Sequence, residues 1–530
     1  FVLGESSAAG YPFSPLGSFS RYIRDRLKLD YPTSEIEVIN LSMTAINSYA
    51  LRDLFPGVME QKPDLILIYT GHNEYYGALG VGSMESLGTS RAMINLLLHL
   101  NKYRTVQLVR NTLQWLMGLF SSTDDKTTGT MMSRMAKDQY IGFNTEIFDA
   151  GISQFEGNMR DILDMAKEKN VPVILSTLAS NLKDQQPFIS MYTEKYPKAD
   201  KIFNQAKAEL KNGNVKTADS LFRFAKDLDA LRFRAPEKIN SLITILSYEY
   251  KLPLVNADSV IASISPDGII GDNIMTDHLH PTLEGQLILG RIFFDKMKES
   301  NYLPNTNAVE LSAEDQDSIT IANFNFTKLD SLISEFRIKI LKNDWPFLDK
   351  KEKKPNSRVL VLKNFEDSLA AEVLDDKITW EEGHRKMAAY YLVKRNLESF
   401  LEEMDALISQ YPVIIEYYDY VAKVLIERND YSRAYKYLVS GYNVKPNAFK
   451  TKWLGTISLY NNDLESAEKY LNESLNHDRN DAQVWYNLAG IYVKRNDYKK
   501  ALELVGTALS LKPNYPDALN LQKQLKAVVK

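Results

Sequence analysis

The sequence predicts an α/β domain built on a parallel sheet, followed by an all-α solenoid of repeated helix pairs. Three observations carry that expectation. Short, near-continuously apolar runs alternate with amphipathic helical stretches as far as Leu303, the pattern of parallel strands covered on both faces. From Asn301 onward this alternation is lost. In the last third, Asn429-Asp430-Tyr431, Asn462-Asp463-Leu464 and Asn496-Asp497-Tyr498 recur at offsets of 33 and 34 residues, with Ala434, Ala467 and Ala501 in register behind them. A fixed period of that length marks a repeat architecture.

Taken in order, Phe1 to Leu3 is an apolar strand that ends in Gly4-Glu5-Ser6-Ser7, and Leu16 to Leu27 has helical periodicity. Ile36 to Leu41 is a short strand, Leu51 to Glu60 a helix, and Asp64 to Thr70 a strand ending at Gly71-His72-Asn73-Glu74. A helical insertion is expected over about 80–150. Within it Ala92 to Phe120 has an apolar stripe with basic residues, read as a helix packed on the domain or, alternatively, one that meets a membrane surface or acyl chain. The α/β pattern resumes with a helix at Ile152 to Lys169 and a strand at Val171 to Leu175. A second insertion, about 190–236, contains one helix–turn–helix unit between Lys201 and Asp229. Leu252 to Val255 is the next strand, and Thr276 to Pro281 opens a helix from Leu283 to Met297. Residues 304–377, polar and acidic at first, are expected to be a connecting linker, with 378–530 forming the repeats and Pro516 to Val529 a cap helix.

Composition narrows the function classes. A formal net charge of −4 gives no general case for nucleic-acid binding. Zero cysteines exclude disulfides, cysteine nucleophiles and thiolate metal sites. No stretch reaches the ~18 consecutive apolar residues of a membrane span. The chain opens inside a strand without an initiator methionine, so upstream residues carrying a signal peptide or membrane anchor are expected. A bacterial cell-envelope location is favoured over the cytoplasm.

The chemistry centres on Ser6. A serine between a strand and a helix is presented at the C-terminal edge of a sheet, where the N–H groups of the new helix face the same spot. As a nucleophile it needs a base, a partner fixing that base's tautomer, and donors for an oxyanion. Of six histidines, His99 and His477 lie in helical segments as structural residues, and His384 lies in the distant C-terminal region. Besides His72 in the Gly71-His72-Asn73-Glu74 turn, that leaves Asp277-His278-Leu279-His280, where a carboxylate three residues before His280 can accept from its Nδ1 while Nε2 faces the serine. His278 is the competing base, and a metal held by Asp277, His278 and His280 is a third reading. Arg232 and Arg234 could grip an anionic or acyl group of a substrate; a structural ion pair between Asp229 and Arg232 is the competing reading.

Gly4-Glu5-Ser6, Asn40 to Ala45, Gly71-His72-Asn73-Glu74 and Asp277 to Pro281, in that order, resemble the four sequence blocks of the SGNH (GDSL-like) hydrolase family. The resemblance spans Phe1 to about Leu303 and implies a flavodoxin-like three-layer α/β domain. Position by position it implies Ser6 as nucleophile, His280 as base and Asp277 as its orienter. The Ser6 and Ala45 N–H groups and the Asn73 amide would hold the oxyanion, without metal or other cofactor. Glu5 replaces the family's usual aspartate and Ala45 its usual glycine. The implied activity is cleavage of an acylated carbohydrate or lipid-like ester through an acyl-enzyme. O-acyl transfer by the same site, or an inactive scaffold, are the alternatives. The C-terminal repeats resemble the tetratricopeptide repeat, which implies a protein partner.

Overall fold

The computed structural model describes residues 1–83, 88, 90–100, 102–108, 111, 136, 139–306, 308–309, 311–349 and 351–529. It divides the chain into two compact units, Phe1–Ile378 and Thr379–Lys530.

In the first unit, β1 (Val2–Gly4), β2 (Ile66–Tyr69), β3 (Val173–Ser176) and β4 (Leu254–Val255) form a parallel sheet in the order β1-β2-β3-β4. Their apolar runs are buried almost throughout, as strands covered on both faces must be. Gly4 lies opposite Tyr69, and a Cβ there would stand 2.2 Å from the Tyr69 carbonyl oxygen, so only glycine lets the two strands end side by side. The expected strand at Ile36 to Leu41 reduces to a bridge between Val2 and Asn40 on the free side of β1. Val2 N–H donates to Ile39 O and Leu41 N–H to Val2 O, while Glu35, Glu37 and Ile39 face outward. With one short partner and a polar outer face, this edge segment is extended without a longer ladder.

Strand β1 is therefore flanked by the Asn40 edge on one side and β2 on the other, so the order in which successive strands are added reverses at β1. At such a switch the loops leaving the strand ends diverge and open a crevice. The described α-helices of this unit as far as Glu299 are α1 (Ser6–Ala9), α2 (Phe19–Asp30), α3 (Ser48–Glu60), α4 (Arg91–Leu100), α5 (Glu146–Glu168), α6 (Ala199–Lys211), α7 (Val215–Leu228), α8 (Glu237–Tyr250), α9 (Ala257–Ile264) and α10 (Leu283–Glu299). Helix α2 packs on α10, with Phe19 and Phe293 stacked at 5.0 Å, while α3 packs on α5 and α5 on α8. Helices α6 and α7 form a hairpin with their own apolar cluster, including Phe203, Ala206, Ala218 and Phe222. Helix α4 is anchored through Arg91, which donates to Asn158 and to the Gly157 carbonyl of α5. Most of the expected helix beyond Leu100 lies outside the described residues. No described helix is long and apolar enough to cross a membrane.

Residues 304–377 are not a linker. They fold as α11 (Ala313–Ala322), α12 (Lys328–Lys342), α13 (Asn356–Val359) and α14 (Phe365–Leu374) within the first unit. Thr327 and Asp330 form a reciprocal capping box that starts α12. Leu329, Leu332, Ile333 and Phe336 then fall on one buried face, each worth about 1.5–3 kcal/mol of burial. Arg26 of α2 donates to Gln316 and to Ala313 O, tying α11 to the α/β core.

The second unit is a run of paired helices from Trp380–Val393 to Pro516–Val528. The recurring Asn-Asp has a local cause. Asn429, Asn462 and Asn496 take left-handed φ values of 59°, 63° and 61°, a conformation asparagine tolerates. The aspartate after each caps the next helix, accepting from Arg433, Ser466 and Lys500 N–H respectively. Ala434, Ala467 and Ala501 are fully buried where the paired helices touch.

Candidate active site

Ser6 sits at the first position of α1, directly after β1, with Glu5 as the residue before the helix. Its backbone N–H is one of the donors a helix N-terminus leaves unused. Gly10 ends this short helix in the left-handed conformation, and Ser7 Oγ donates to Leu279 O across the site.

The loop from Thr276 to His280 is closed by Thr276 N–H donating to His280 O and Thr282 N–H donating to Ile274 O. Inside it, Asp277 Oδ1 accepts from the Leu279 and His280 N–H groups, at 2.9 Å each. That turn aims the second oxygen at the ring: Asp277 Oδ2 is 2.6 Å from His280 Nδ1, and His280 Nε2 is 2.8 Å from Ser6 Oγ. Burial alone would raise the Asp277 carboxyl, but the His280 ring and its hydrogen bond, with the His278 ring beside them, hold it well below the ordinary carboxylate range. An ionised carboxylate at Nδ1 fixes the proton there and leaves the Nε2 lone pair toward the hydroxyl. Such a relay can accept a proton from Ser6 Oγ.

His278 is placed differently. Its ring is enclosed by Phe188, Phe233 and Phe347, and its Nδ1 stands 3.3 Å from Asp277 Oδ1 without hydrogen-bond geometry. Burial lowers its pKa, so it stays neutral. The ligand atoms of Asp277, His278 and His280 lie within 4.8 Å of one another, but both nitrogens of His280 are already taken by Asp277 and Ser6.

Ala45 and Asn73 line the same cavity as Ser6 and His280. Ala45 has φ 62°, a left-handed conformation in an L-residue other than asparagine or glycine. Ala45→Gly should therefore raise stability by about 0.5–1 kcal/mol, less than the strain removed because glycine loses more chain entropy on folding. A shift of the chemical-unfolding midpoint to lower denaturant would contradict this.

Glu5 does work that the sequence did not announce. Buried between β1 and β2, it accepts from Thr70 Oγ1 and Gly71 N–H on one oxygen and Asn73 N–H on the other, so it holds the Asn73 loop against the serine turn. Desolvation, partly offset by those hydrogen bonds, pushes its pKa up to about 7. Glu74, equally buried against Ser48 N–H and Oγ, is raised by desolvation to about 8. A carboxyl raised in the folded state stabilises fully below its unfolded pKa, about 4.5, and that contribution is lost as pH climbs through the folded value. Stability should thus fall between about pH 4.5 and 8, with Glu74 contributing on the order of 4 kcal/mol of the change. Glu74→Gln, which mimics the protonated acid, should flatten that fall in urea-unfolding curves taken across the range. An unchanged slope would refute the assignment.

Arg232 and Arg234 do not line the cavity. Arg234 pairs with Asp229 at 3.3 Å and donates to Asn181 and Gln185 carbonyls, so the aspartate's partner is Arg234 rather than Arg232. Arg232 donates to Asp227 O and lies 4.5 Å above the Phe148 ring. The chain turns both guanidinium groups inward, where they brace the loop after α7.

Three contributors escaped the sequence. The Tyr11 ring lies tilted against the His280 ring, with centroids 4.7 Å apart. The Asn181 amide nitrogen donates both to Asp277 O and to the Asp272 carboxylate, bracing the histidine loop. Arg337, Ile340 and Leu341 of α12, with Leu374 of α14, wall a cavity of about 380 Å³ over Ser6. The capping box and apolar spacing of α12 were the available signal for that wall.

Comparison with known proteins gives one family match and several partial structural likenesses. A tetratricopeptide repeat family model matches residues 458–525, so the second unit contains tetratricopeptide repeats. No curated protein sequence matches the chain. Among solved structures, MamA from Desulfovibrio magneticus is 18% identical over 28% of this chain and 84% of its own, with a TM-score of 0.26. YrrB, described as a TPR protein with an unusual peptide-binding site, is 15% identical over 30% of this chain and 83% of its own, at 0.27. A catalytic mutant of an acetylxylan esterase from Geobacillus stearothermophilus is 13% identical over 56% of this chain and 92% of its own, at 0.31. Likenesses of this size are similarity of arrangement only.

Proposed function

We propose that the first unit is a serine ester hydrolase of the SGNH (GDSL-like) type, with a flavodoxin-like α/β core, and that the repeats dock a protein partner. The observation that carries the reading is the unbroken hydrogen-bonded line from Asp277 through His280 to Ser6, with Ser6 and His280 lining an apolar-walled cavity. Ser6 Oγ attacks the ester carbonyl while His280 Nε2 takes its proton. The Ser6 and Ala45 N–H groups and the Asn73 amide receive the oxyanion. The tetrahedral intermediate collapses, and His280 returns the proton to the leaving alcohol. Water, deprotonated by the same ring, then attacks the acyl-enzyme to release the acid and regenerate the serine. The substrate is an acylated carbohydrate or lipid-like ester. Incubation with a fluorophosphonate probe should attach one label per chain, on the peptide containing Ser6 and identified by mass spectrometry. An unlabelled native protein with ester turnover no faster than buffer overturns the reading.

A further inference from the structure

We propose that Arg337 determines specificity in this cavity by receiving an oxyanion, a carboxylate or phosphate, carried by an otherwise apolar ester. The inference rests on the hydrolase reading and names its substrate class. Phe233, Leu279, Ile340, Leu341 and Leu374 make the walls apolar, and no carboxylate is among the lining residues; Asp277 sits behind His280. One permanently charged residue is among those lining the space, Arg337. A low-dielectric chamber with a single fixed cation selects for the opposite charge.

The guanidinium is held but not neutralised. Its Nη1 donates to Pro12 O at 2.6 Å and to Ser14 O at 2.7 Å, which uses both hydrogens on that nitrogen. Nε and Nη2, with three further N–H bonds, have no acceptor among the described residues, and no described carboxylate pairs with this side chain. Buried Arg26 and Arg234 differ, each bonding an aspartate. Arg232, also without a carboxylate, rests on Phe148 away from the cavity. Desolvation pulls the Arg337 pKa below its ordinary value, only partly offset by Tyr11 and the more distant Asp330, yet a guanidinium remains charged at neutral pH. Two carbonyls fix one arm of a planar fork, and the other arm is free to meet two oxygens at once. Holding the Pro12–Ser14 loop, and with it Tyr11 over His280, needs the first arm alone.

The test compares matched esters on the full chain: para-nitrophenyl glutarate against para-nitrophenyl pentanoate, and acetylglycerol phosphate against acetylglycerol. One anionic member should exceed its neutral match by at least about 10-fold in kcat/KM. The pair that shows it separates carboxylate from phosphate. Arg337→Gln should bring that ratio close to one, and Arg337→Lys should keep part of it. If Arg337→Gln depresses both members equally and leaves the ratio intact, the residue is structural and the proposal fails. It also fails if the native protein prefers neither anion. Should no ester turn over, calorimetric binding of the same pairs to the Ser6→Ala chain, with and without Arg337→Gln, decides the point independently. An anion preference that Arg337→Gln removes upholds the inference while the hydrolase reading falls; equal binding overturns the inference itself.

Discussion

Ser6→Ala is expected to lower ester turnover by at least about 10⁴-fold and to abolish fluorophosphonate labelling, while leaving the unfolding midpoint within about 1 kcal/mol of the native protein. The size follows from what is removed. Without Oγ, His280 Nε2 has nothing to deprotonate at the attacking position, and the remaining rate comes from polarisation of the carbonyl and from binding. Ser7→Ala is the control one residue away. Ser7 Oγ donates to Leu279 O, so its loss leaves a buried carbonyl unpaired and costs about 1 kcal/mol of stability, with labelling retained. If Ser6→Ala keeps more than a tenth of native turnover, or if Ser7→Ala is the variant that loses the label, the nucleophile is misassigned.

Asp277→Asn should reduce kcat by about 10⁴-fold with little change in KM. The asparagine carbonyl can still accept from Leu279 and His280 N–H, so the loop keeps its shape. Its amide then faces His280 Nδ1 as a donor, which forces the ring proton to Nε2 and removes the lone pair aimed at Ser6. Asp277→Ala is a poorer probe, since it leaves two buried N–H groups unpaired. Because Asp277 is held well below the usual carboxylate range, it stays ionised through the working pH range and supplies no acid limb to the native rate profile. Steady-state kinetics on a chromogenic ester would show the kcat effect; a variant that lost only affinity would remove Asp277 from the tautomer role.

What was legible in the sequence had local causes. Buried parallel strands need continuous apolar runs, and β2 and β3 supply them. Each repeat needs a left-handed residue and then a cap, which Asn-Asp provides. Ser6, Asn73 and His280 could be singled out because each follows a strand or opens a helix, although their meeting is a property of the sheet. What stayed hidden depends on distant partners. Glu5 gains its role from Thr70, Gly71 and Asn73 on the neighbouring strand's loop. Arg232 and Arg234 resembled a substrate clamp because charge spacing does not reveal which way a turn faces. The acidic stretch ending at Asp317 disguised the amphipathic α12 behind it as part of a linker.

The wall made by α12 and α14 also governs how this chain can be cut. An expression boundary at Leu303, natural by strand-and-helix pattern, would delete Arg337, Ile340, Leu341 and Leu374 and leave Ser6 in an open trough. Contacts that α11 makes with Arg26 would be stripped from α2 at the same stroke. Excision after Ile378 preserves the chamber. A fragment prepared by the shorter cut would lack the residues proposed to set substrate choice, so any ester preference measured on it would differ from that of the whole first unit.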